Sequence, residues 1–165
     1  MNKFTIALLL TTLPFGVSAQ TVIGAEHGAE AEHVDAAVQQ YAAKKGIAGP
    51  VAYDVAFHDI NTDSRRDAVV LVNSGAWCDA DGGCALLVLE GRPNSFFVVS
   101  KTDGVSKPVR VLPTDQRSGW QSLIVNLKAS GDTLLRAVNY KYPVKLDKLI
   151  VPDAGQLAKA VTLIE

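Results

Sequence analysis

The chain has 165 residues, with 16 Lys and Arg against 17 Asp and Glu, which gives a formal net charge of -1. This balance supplies no basic surface field for nucleic acid. The sequence also contains no polybasic cluster that would bind an anionic membrane surface. The length fits one domain with a sizeable core. We therefore expect neither nucleic acid nor membrane as a partner.

The N-terminus has the layout of a secretory signal peptide. Lys3 precedes an apolar run over residues 4–17, and the small residues of Val17-Ser18-Ala19 precede the predicted cleavage point. The alternative is a membrane anchor, but the run is shorter than the ~20 residues that a spanning helix needs. We predict a signal peptide over residues 1–19, a flexible segment over 20–30, and a periplasmic or secreted location.

Residues 32–45 have the pattern of one amphipathic helix. Apolar side chains recur at helical spacing from Val34 to Tyr41. Acidic residues crowd the start of the segment, and Lys44 and Lys45 lie at its end, which matches the helix dipole. Gly46 then follows as the predicted C-terminal cap.

Beyond the helix, the hydrophobic period changes to two. Residues 53–58 alternate as in a half-buried strand, whereas 68–72 and 85–89 are continuous apolar runs that predict strands buried on both faces. Turn signals separate the segments, among them Asp103-Gly104, and predict an antiparallel meander. The tail from 154 to 164 is compatible with a helix or a strand. The remaining predicted strands are 95–101, 108–112, 120–127 and 133–140.

Taken together, these elements predict an α+β fold in a single domain over residues 31–165. One N-terminal helix packs on an antiparallel β-sheet of about six or seven strands.

Cys78 and Cys84 are the two cysteines of the chain. In an oxidising compartment such a close, isolated pair predicts a disulfide bond. The alternative is a pair of metal-binding thiols, but two thiols without a nearby histidine make a poor zinc site.

The segment 59–67 has the strongest ligand pattern. Oxygen donors recur at alternating positions, as in a calcium loop. Two features of an EF-hand are missing, the sharp-turn glycine and the terminal acid. The alternative is a bare β-turn, in which Asn and Asp side chains accept hydrogen bonds from nearby amides. If the segment is a bare turn, the protein is expected to use no cofactor. If it is a calcium loop, the expected cofactor is calcium. The candidate ligands are Asp59, Asn61, Asp63, the carbonyl group of Arg65, and Asp67.

Catalytic motifs are weak in this sequence. There is no G-x-S-x-G elbow, no phosphate-binding G-x-x-x-x-G-K and no dinucleotide G-x-G-x-x-G. His58 and Asp59 are neighbours, and neighbours along a strand point to opposite faces. Trp77 and Trp120 lie beside turns, where a large aromatic packs in the core or, alternatively, faces a partner.

Three segments resemble a group of small exported bacterial proteins. In that group a D-x-N-x-D-G-x-x-D/E loop precedes a W/Y-C-G-x-x-G-C segment. The matching residues here are 56–63, 67–71 and 77–88, and the similarity extends over about 53–125. The resemblance implies an exported, β-rich domain and does not imply a particular activity.

The sequence therefore favours an exported periplasmic protein of the non-catalytic binding or inhibitor type. Its expected partner is an unknown periplasmic protein or small ligand. One alternative is an envelope module stabilised by calcium in the loop 59–67, and a second is a hydrolase without a recognisable motif. No catalytic residue is predicted.

Overall fold

A computed structural model describes residues 28–127, 130–143 and 149–165. Its seven strands form one antiparallel sheet in the order β1-β2-β3-β4-β5-β6, and β7 pairs with β4. The predicted α+β fold is confirmed, with the N-terminal helix packed on a sheet of seven strands where about six or seven were predicted. The predicted signal peptide, 1–19, lies outside the described residues. The elements in chain order are α1 (Gly28–Lys44), β1 (Tyr53–His58), β2 (Asp67–Val72), a 3-10 helix (Gly75–Trp77), β3 (Cys84–Arg92), β4 (Ser95–Arg117), β5 (Trp120–Leu127), β6 (Gly131–Leu135), α2 (Ala154–Lys159) and β7 (Val161–Ile164).

Helix α1 begins earlier than predicted, inside the segment that the sequence assigned to a flexible lead-in. It ends as predicted. Gly46 has a φ of 73° and its N–H donates to the carbonyl of Ala43, while the N–H of Ile47 donates to Ala42. This pair of hydrogen bonds is a Schellman cap, which satisfies carbonyl groups that the last helical turn leaves free. Within the described residues, no helix is long and apolar enough to cross a membrane.

The sheet buries both of its faces. Val69 of β2 and Leu123 of β5 belong to one buried cluster although their strands are not neighbours, so the sheet curls and encloses this cluster on its inner face. On the outer face, Val38 of α1 packs with Val70 and Leu87. The continuous apolar runs of β2 and β3 are therefore buried on both faces, as predicted.

Strand β4 contains the main departure from the predicted strands. The sequence predicted a turn at Asp103-Gly104, and this prediction is wrong because β4 runs through it. Cys84 pairs with Val105 and Leu86 pairs with Thr102, so two residues of β4 lie opposite one residue of β3. This is a β-bulge, and the φ of 76° at Gly104 provides the local bend without ending the strand.

The C-terminal tail holds both of the elements between which the sequence could not decide. Asp153 caps α2 through a reciprocal capping box with Gln156, and β7 then returns to pair with β4. The predicted strand 133–140 ends early. After β6 the chain makes a tight turn in which Asn139 and Tyr140 have φ values of 50° and 64°.

Candidate functional sites

Asp67 is the buried anchor of the predicted calcium loop. Its side chain is fully buried, with 0% exposure. One carboxylate oxygen accepts hydrogen bonds from the N–H groups of Ile60 and Asn61 at 3.0 and 3.1 Å, and the other accepts the N–H of Gly91 at 2.9 Å. Because both oxygens are bound to backbone amides in a dry environment, Asp67 ties the β1–β2 loop to the end of β3.

The environment of Asp67 also changes its acidity. Burial raises the pKa of this carboxyl group to about 6, with a smaller contribution from the negative charge of Asp63. The three backbone hydrogen bonds act in the opposite direction, because they stabilise the ionised form. Burial is the larger effect, so Asp67 holds its proton at a higher pH than an exposed aspartate.

The other predicted ligands form a network of turn hydrogen bonds. The carboxylate of Asp59 accepts the N–H groups of Asp63 and Ser64 at 3.1 and 2.9 Å. Asn61 accepts the N–H of Asp63 at 3.1 Å, and Asp63 in turn accepts the N–H of Arg65 at 2.8 Å. Among the described residues, no group of three or more His, Cys, Asp or Glu side chains is placed to hold a metal ion. The loop thus brings its predicted ligands together as Asx-type turns.

His58 connects this loop to strand β5. Its Nε2 lies 3.2 Å from Oε1 of Gln121, and the amide of Gln121 donates to the carbonyl oxygen of Asp59 at 3.4 Å. The backbone N–H of Gln121 also donates to the carbonyl of Ile60 at 2.9 Å. The ring nitrogen of His58 therefore contacts the amide of Gln121, and together these contacts connect the end of β1 and the loop after it to β5.

A shallow pocket lies beside the same loop. It has a volume of about 310 Å3 and is lined in part by Asp63, Glu90, Trp120 and Tyr140. Trp120 is buried and packs edge-on against Tyr142, so its predicted core role is confirmed. Tyr140 is 68% exposed at the rim.

The two cysteines lie at the opposite end of β2 and form the predicted disulfide bond. We call residues 78–84 the disulfide loop. Asp79 and Gly83 hold the loop internally, because the N–H of Asp79 donates to the carbonyl of Gly83 and the N–H of Gly83 donates to the Asp79 carboxylate, both at 2.8 Å. A Cβ atom at Gly83 would lie 2.7 Å from the backbone of Gly104, so glycine lets the loop lie directly on the β4 bulge.

A larger pocket, which we call the Trp77 pocket, lies where the end of α1, the disulfide loop and the β4 bulge meet. Its volume is about 480 Å3. This volume is within the range of ordinary small-molecule sites. Its charged and aromatic lining residues are Tyr41, Lys45, Trp77, Asp79, Lys101 and Asp103.

The aromatic wall of the Trp77 pocket is flanked by two cations. The rings of Tyr41 and Trp77 are 6.0 Å apart between centroids. The ammonium of Lys45 lies 5.5 Å from the ring centre of Tyr41, and that of Lys101 lies 5.8 Å from Trp77. Lys101 also forms an ion pair with Asp103. Trp77 is only 7% exposed, and its indole Nε1 is buried with no hydrogen-bond partner among the residues that the structure describes.

Sequence reasoning did not identify this pocket. Tyr41 was assigned to the buried stripe of the helix, and Lys45 was assigned to the helix dipole. Trp77 was interpreted as a core residue or a partner contact, and its burial confirms the core interpretation while its ring also lines the pocket. The sequence feature that could have indicated this pocket is a tryptophan directly before a disulfide loop that contains two acidic residues.

Comparison with protein-family models, with curated proteins and with solved structures gave no match.

Proposed function

We propose that this chain is an exported periplasmic protein that binds a small ligand in the Trp77 pocket and carries out no reaction on it. The observation that carries this proposal is the pocket itself, a concave site of about 480 Å3 with an aromatic wall and a few charged groups. That combination is typical of sites that hold small molecules. A protein partner is the second candidate, and a concave surface of this size favours the small ligand.

The composition of the pocket supports binding over catalysis. Among its described lining residues there is no serine, no histidine and no free thiol, because Cys78 is joined to Cys84. Lys101, which would otherwise be a candidate base or nucleophile, forms an ion pair with Asp103. The side chains that most often serve as activated nucleophiles or general bases, a serine, a free thiol or a histidine, are missing from the described lining.

Export is the second half of the proposal. The support is the signal-like sequence over residues 1–19 together with the disulfide, which persists in oxidising compartments. The intact mass of protein isolated from its native host tests this directly. We expect a chain that begins at Gln20 and lacks two thiol hydrogens. A chain that retains Met1 and has two alkylatable thiols would contradict export.

Ligand binding is tested with a pair of matched variants. Ala76 and Ala80 are both exposed and lie close together in sequence, but only Ala76 lines the pocket. Ala76→Trp should fill the pocket without disturbing the core, and Ala80→Trp should leave the pocket open. The wild type and both variants are incubated with low-molecular-weight periplasmic extract and analysed by native mass spectrometry.

The expected result is a small-molecule adduct on the wild type and on Ala80→Trp, with none on Ala76→Trp. Absence of any adduct on the wild type would overturn the proposal. An adduct that survives in Ala76→Trp would place the ligand elsewhere and would also overturn it.

A further inference from the structure

We infer that the Trp77 pocket binds a small zwitterion, a molecule that carries an ammonium group, a carboxylate group and an apolar side group, as a free amino acid does. This inference rests on the proposed function and names the class of ligand that the pocket accepts. The carboxylate would pair with Lys45, the ammonium would pair with Asp79, and the apolar group would lie against the aromatic wall.

The first argument is that the charges of the lining balance. Lys101 and Asp103 form an ion pair with each other, so neither charge is left for a ligand. The remaining charged residues of the lining are Lys45 and Asp79, one of each sign. A simple anion would be attracted by one of these groups and repelled by the other, and the same holds for a simple cation. The balance therefore favours a ligand without net charge.

The second argument is that Lys45 and Asp79 are not paired with each other. Both are exposed, and neither forms an ion pair within the described part of the chain. Lys45 follows the last residue of α1 and its ammonium lies 5.5 Å from the ring centre of Tyr41, whereas Asp79 lies in the disulfide loop. The pocket thus presents a positive and a negative group at separate positions. A zwitterion is the class of neutral ligand that can form a charge-assisted hydrogen bond with each of them.

The orientation of the Asp79 carboxylate leaves one of its oxygen atoms at the pocket. Its Oδ1 accepts the N–H of Gly83 at 2.8 Å, and this hydrogen bond fixes the direction of the carboxylate. Its Oδ2 accepts no hydrogen bond from the described residues and lies near Gly104, where an added Cβ atom would be 3.6 Å away. Gly83 and Gly104 both line the pocket. One oxygen is therefore held by the loop, and the other is available to an ammonium group.

The third argument is the apolar part of the lining. Tyr41, Ile47 and Ala76 line the pocket together with the ring of Trp77. Tyr41 and Ile47 are only partly buried, so both leave apolar surface that a ligand can cover. An aromatic or branched side group placed there would remove this surface from water. A zwitterion as small as glycine would leave it uncovered, which is why we infer one with an apolar side group.

The test compares three probes that share one ring and differ in charge. L-phenylalanine carries both charges, 3-phenylpropionate carries only the negative one, and phenethylamine carries only the positive one. Each is titrated at neutral pH into the purified 15N-labelled protein with its disulfide intact, and the backbone amide signals of Gly83 and Gly104 report binding at the pocket. We expect L-phenylalanine to bind about fivefold more tightly than either analogue, which corresponds to one additional ion pair at an exposed site.

Two substitutions should act on different probes. Lys45→Gln should weaken L-phenylalanine and 3-phenylpropionate about fivefold and should not weaken phenethylamine. Asp79→Asn, which keeps an oxygen that can accept the Gly83 N–H, should weaken L-phenylalanine and phenethylamine and should not weaken 3-phenylpropionate. The controls are Lys44→Gln and Asp81→Asn, which remove neighbouring exposed charges that do not line the pocket and should change none of the three affinities.

The outcomes separate this inference from the proposed function. If either analogue binds as tightly as L-phenylalanine, or if both substitutions weaken all three probes alike, the zwitterionic class is wrong although the pocket binds ligands. If no probe moves the signals of Gly83 and Gly104, this inference fails, and the Ala76→Trp comparison then decides separately whether the proposed function fails with it. Equal weakening by a control and by its matched variant would indicate diffuse surface charge and would overturn the assigned contacts.

Discussion

The carboxylate of Asp67 accepts a hydrogen bond from the N–H of Gly91 at 2.9 Å, although 24 positions separate the two residues in the chain. The same carboxylate holds the N–H groups of Ile60 and Asn61. Gly91 can approach so closely because it has no side chain, since a Cβ atom there would lie 2.0 Å from the carbonyl oxygen of Arg66. One buried acid thus joins the β1–β2 loop, the start of β2 and the end of β3.

Asp67→Ala should be strongly destabilising. The substitution leaves amide donors buried without acceptors, and we expect a loss of about 3–5 kcal/mol in the free energy of unfolding. Urea denaturation followed by circular dichroism measures it. The matched control is Asp63→Ala, an exposed acid of the same loop, which should cost about 1 kcal/mol or less. Equal losses in the two variants would contradict the anchoring role of Asp67.

The raised pKa of Asp67 predicts how stability depends on pH. The folded state holds the proton up to about pH 6, whereas an unfolded aspartate releases it near its model value of 3.8. The folded state therefore binds more protons between these values, and the contribution of Asp67 to stability falls as the pH rises from 4 to 7. We expect the wild type to be more stable at pH 5 than at pH 7, by about 1 kcal/mol.

At still lower pH the trend should reverse. Ion pairs and hydrogen bonds lower the pKa of Asp54 and of Asp115, so the stability that these groups contribute is lost when they are protonated. Urea unfolding of the wild type and of Asp67→Asn across pH 3–8 checks both statements. The variant should lack the change between pH 5 and pH 7. A wild-type stability that rises over that interval would show that the amide hydrogen bonds outweigh burial.

Calcium should not stabilise the protein. Asp59 and Asp67 each use both of their carboxylate oxygens as acceptors for backbone amides, so a metal ion would have to compete with these hydrogen bonds. The melting temperature should therefore be the same in calcium and in a chelator. A rise in calcium that disappears in Asp59→Asn would restore the calcium-stabilised module as the better hypothesis.

Removal of the disulfide should be tolerated. The ring that it closes is short, so we expect the paired substitutions Cys78→Ser and Cys84→Ser to cost about 2 kcal/mol or less. The hydrogen bonds between Asp79 and Gly83 should preserve the loop in part. Thermal unfolding of the variant, and of the wild type with a reductant, should give similar losses. A variant that is unfolded at 25 °C would show that the loop has no structure of its own.

Tyr140→Gly should stabilise the protein. Tyr140 has a φ of 64° in a two-residue turn, a conformation that is unfavourable for residues with a Cβ atom and easy for glycine. Its side chain is mostly exposed, so little packing is lost. We expect a gain of about 0.5–1 kcal/mol. Tyr140→Ala is the control, because it removes the ring but keeps the Cβ atom, and it should give no gain.

The order of elements could be predicted from the sequence because their patterns are local. The helical stripe that includes Val34 and Val38, and the apolar runs of β2 and β3, depend on neighbouring residues alone. The turn predicted at Asp103-Gly104 failed for a different reason. These two residues favour a turn by type. However, β4 pairs with β3 on one side and with β5 on the other, so the strand continues through this position and contains a β-bulge there.

The sites were harder to predict because they depend on residues distant in the chain. Spacing alone made Asp67 resemble a metal ligand, since nothing in the segment 59–67 indicates that Gly91 supplies a hydrogen-bond donor. The Trp77 pocket joins the end of α1 to the disulfide loop and to residues of β4, and only the tertiary packing reveals it. The disulfide was predictable because the two cysteines are close neighbours and have no rival partners.

Strand β4 has a consequence for cooperativity. Its 23 residues pair with β3 in their first half and with β5 and β7 in their second half. Both halves of the sheet therefore depend on this one strand. Without β4, strand β3 on one side and strands β5 and β7 on the other would each lose a paired neighbour. The chain should lose its structure in a single transition, with the helix side and the C-terminal side melting together.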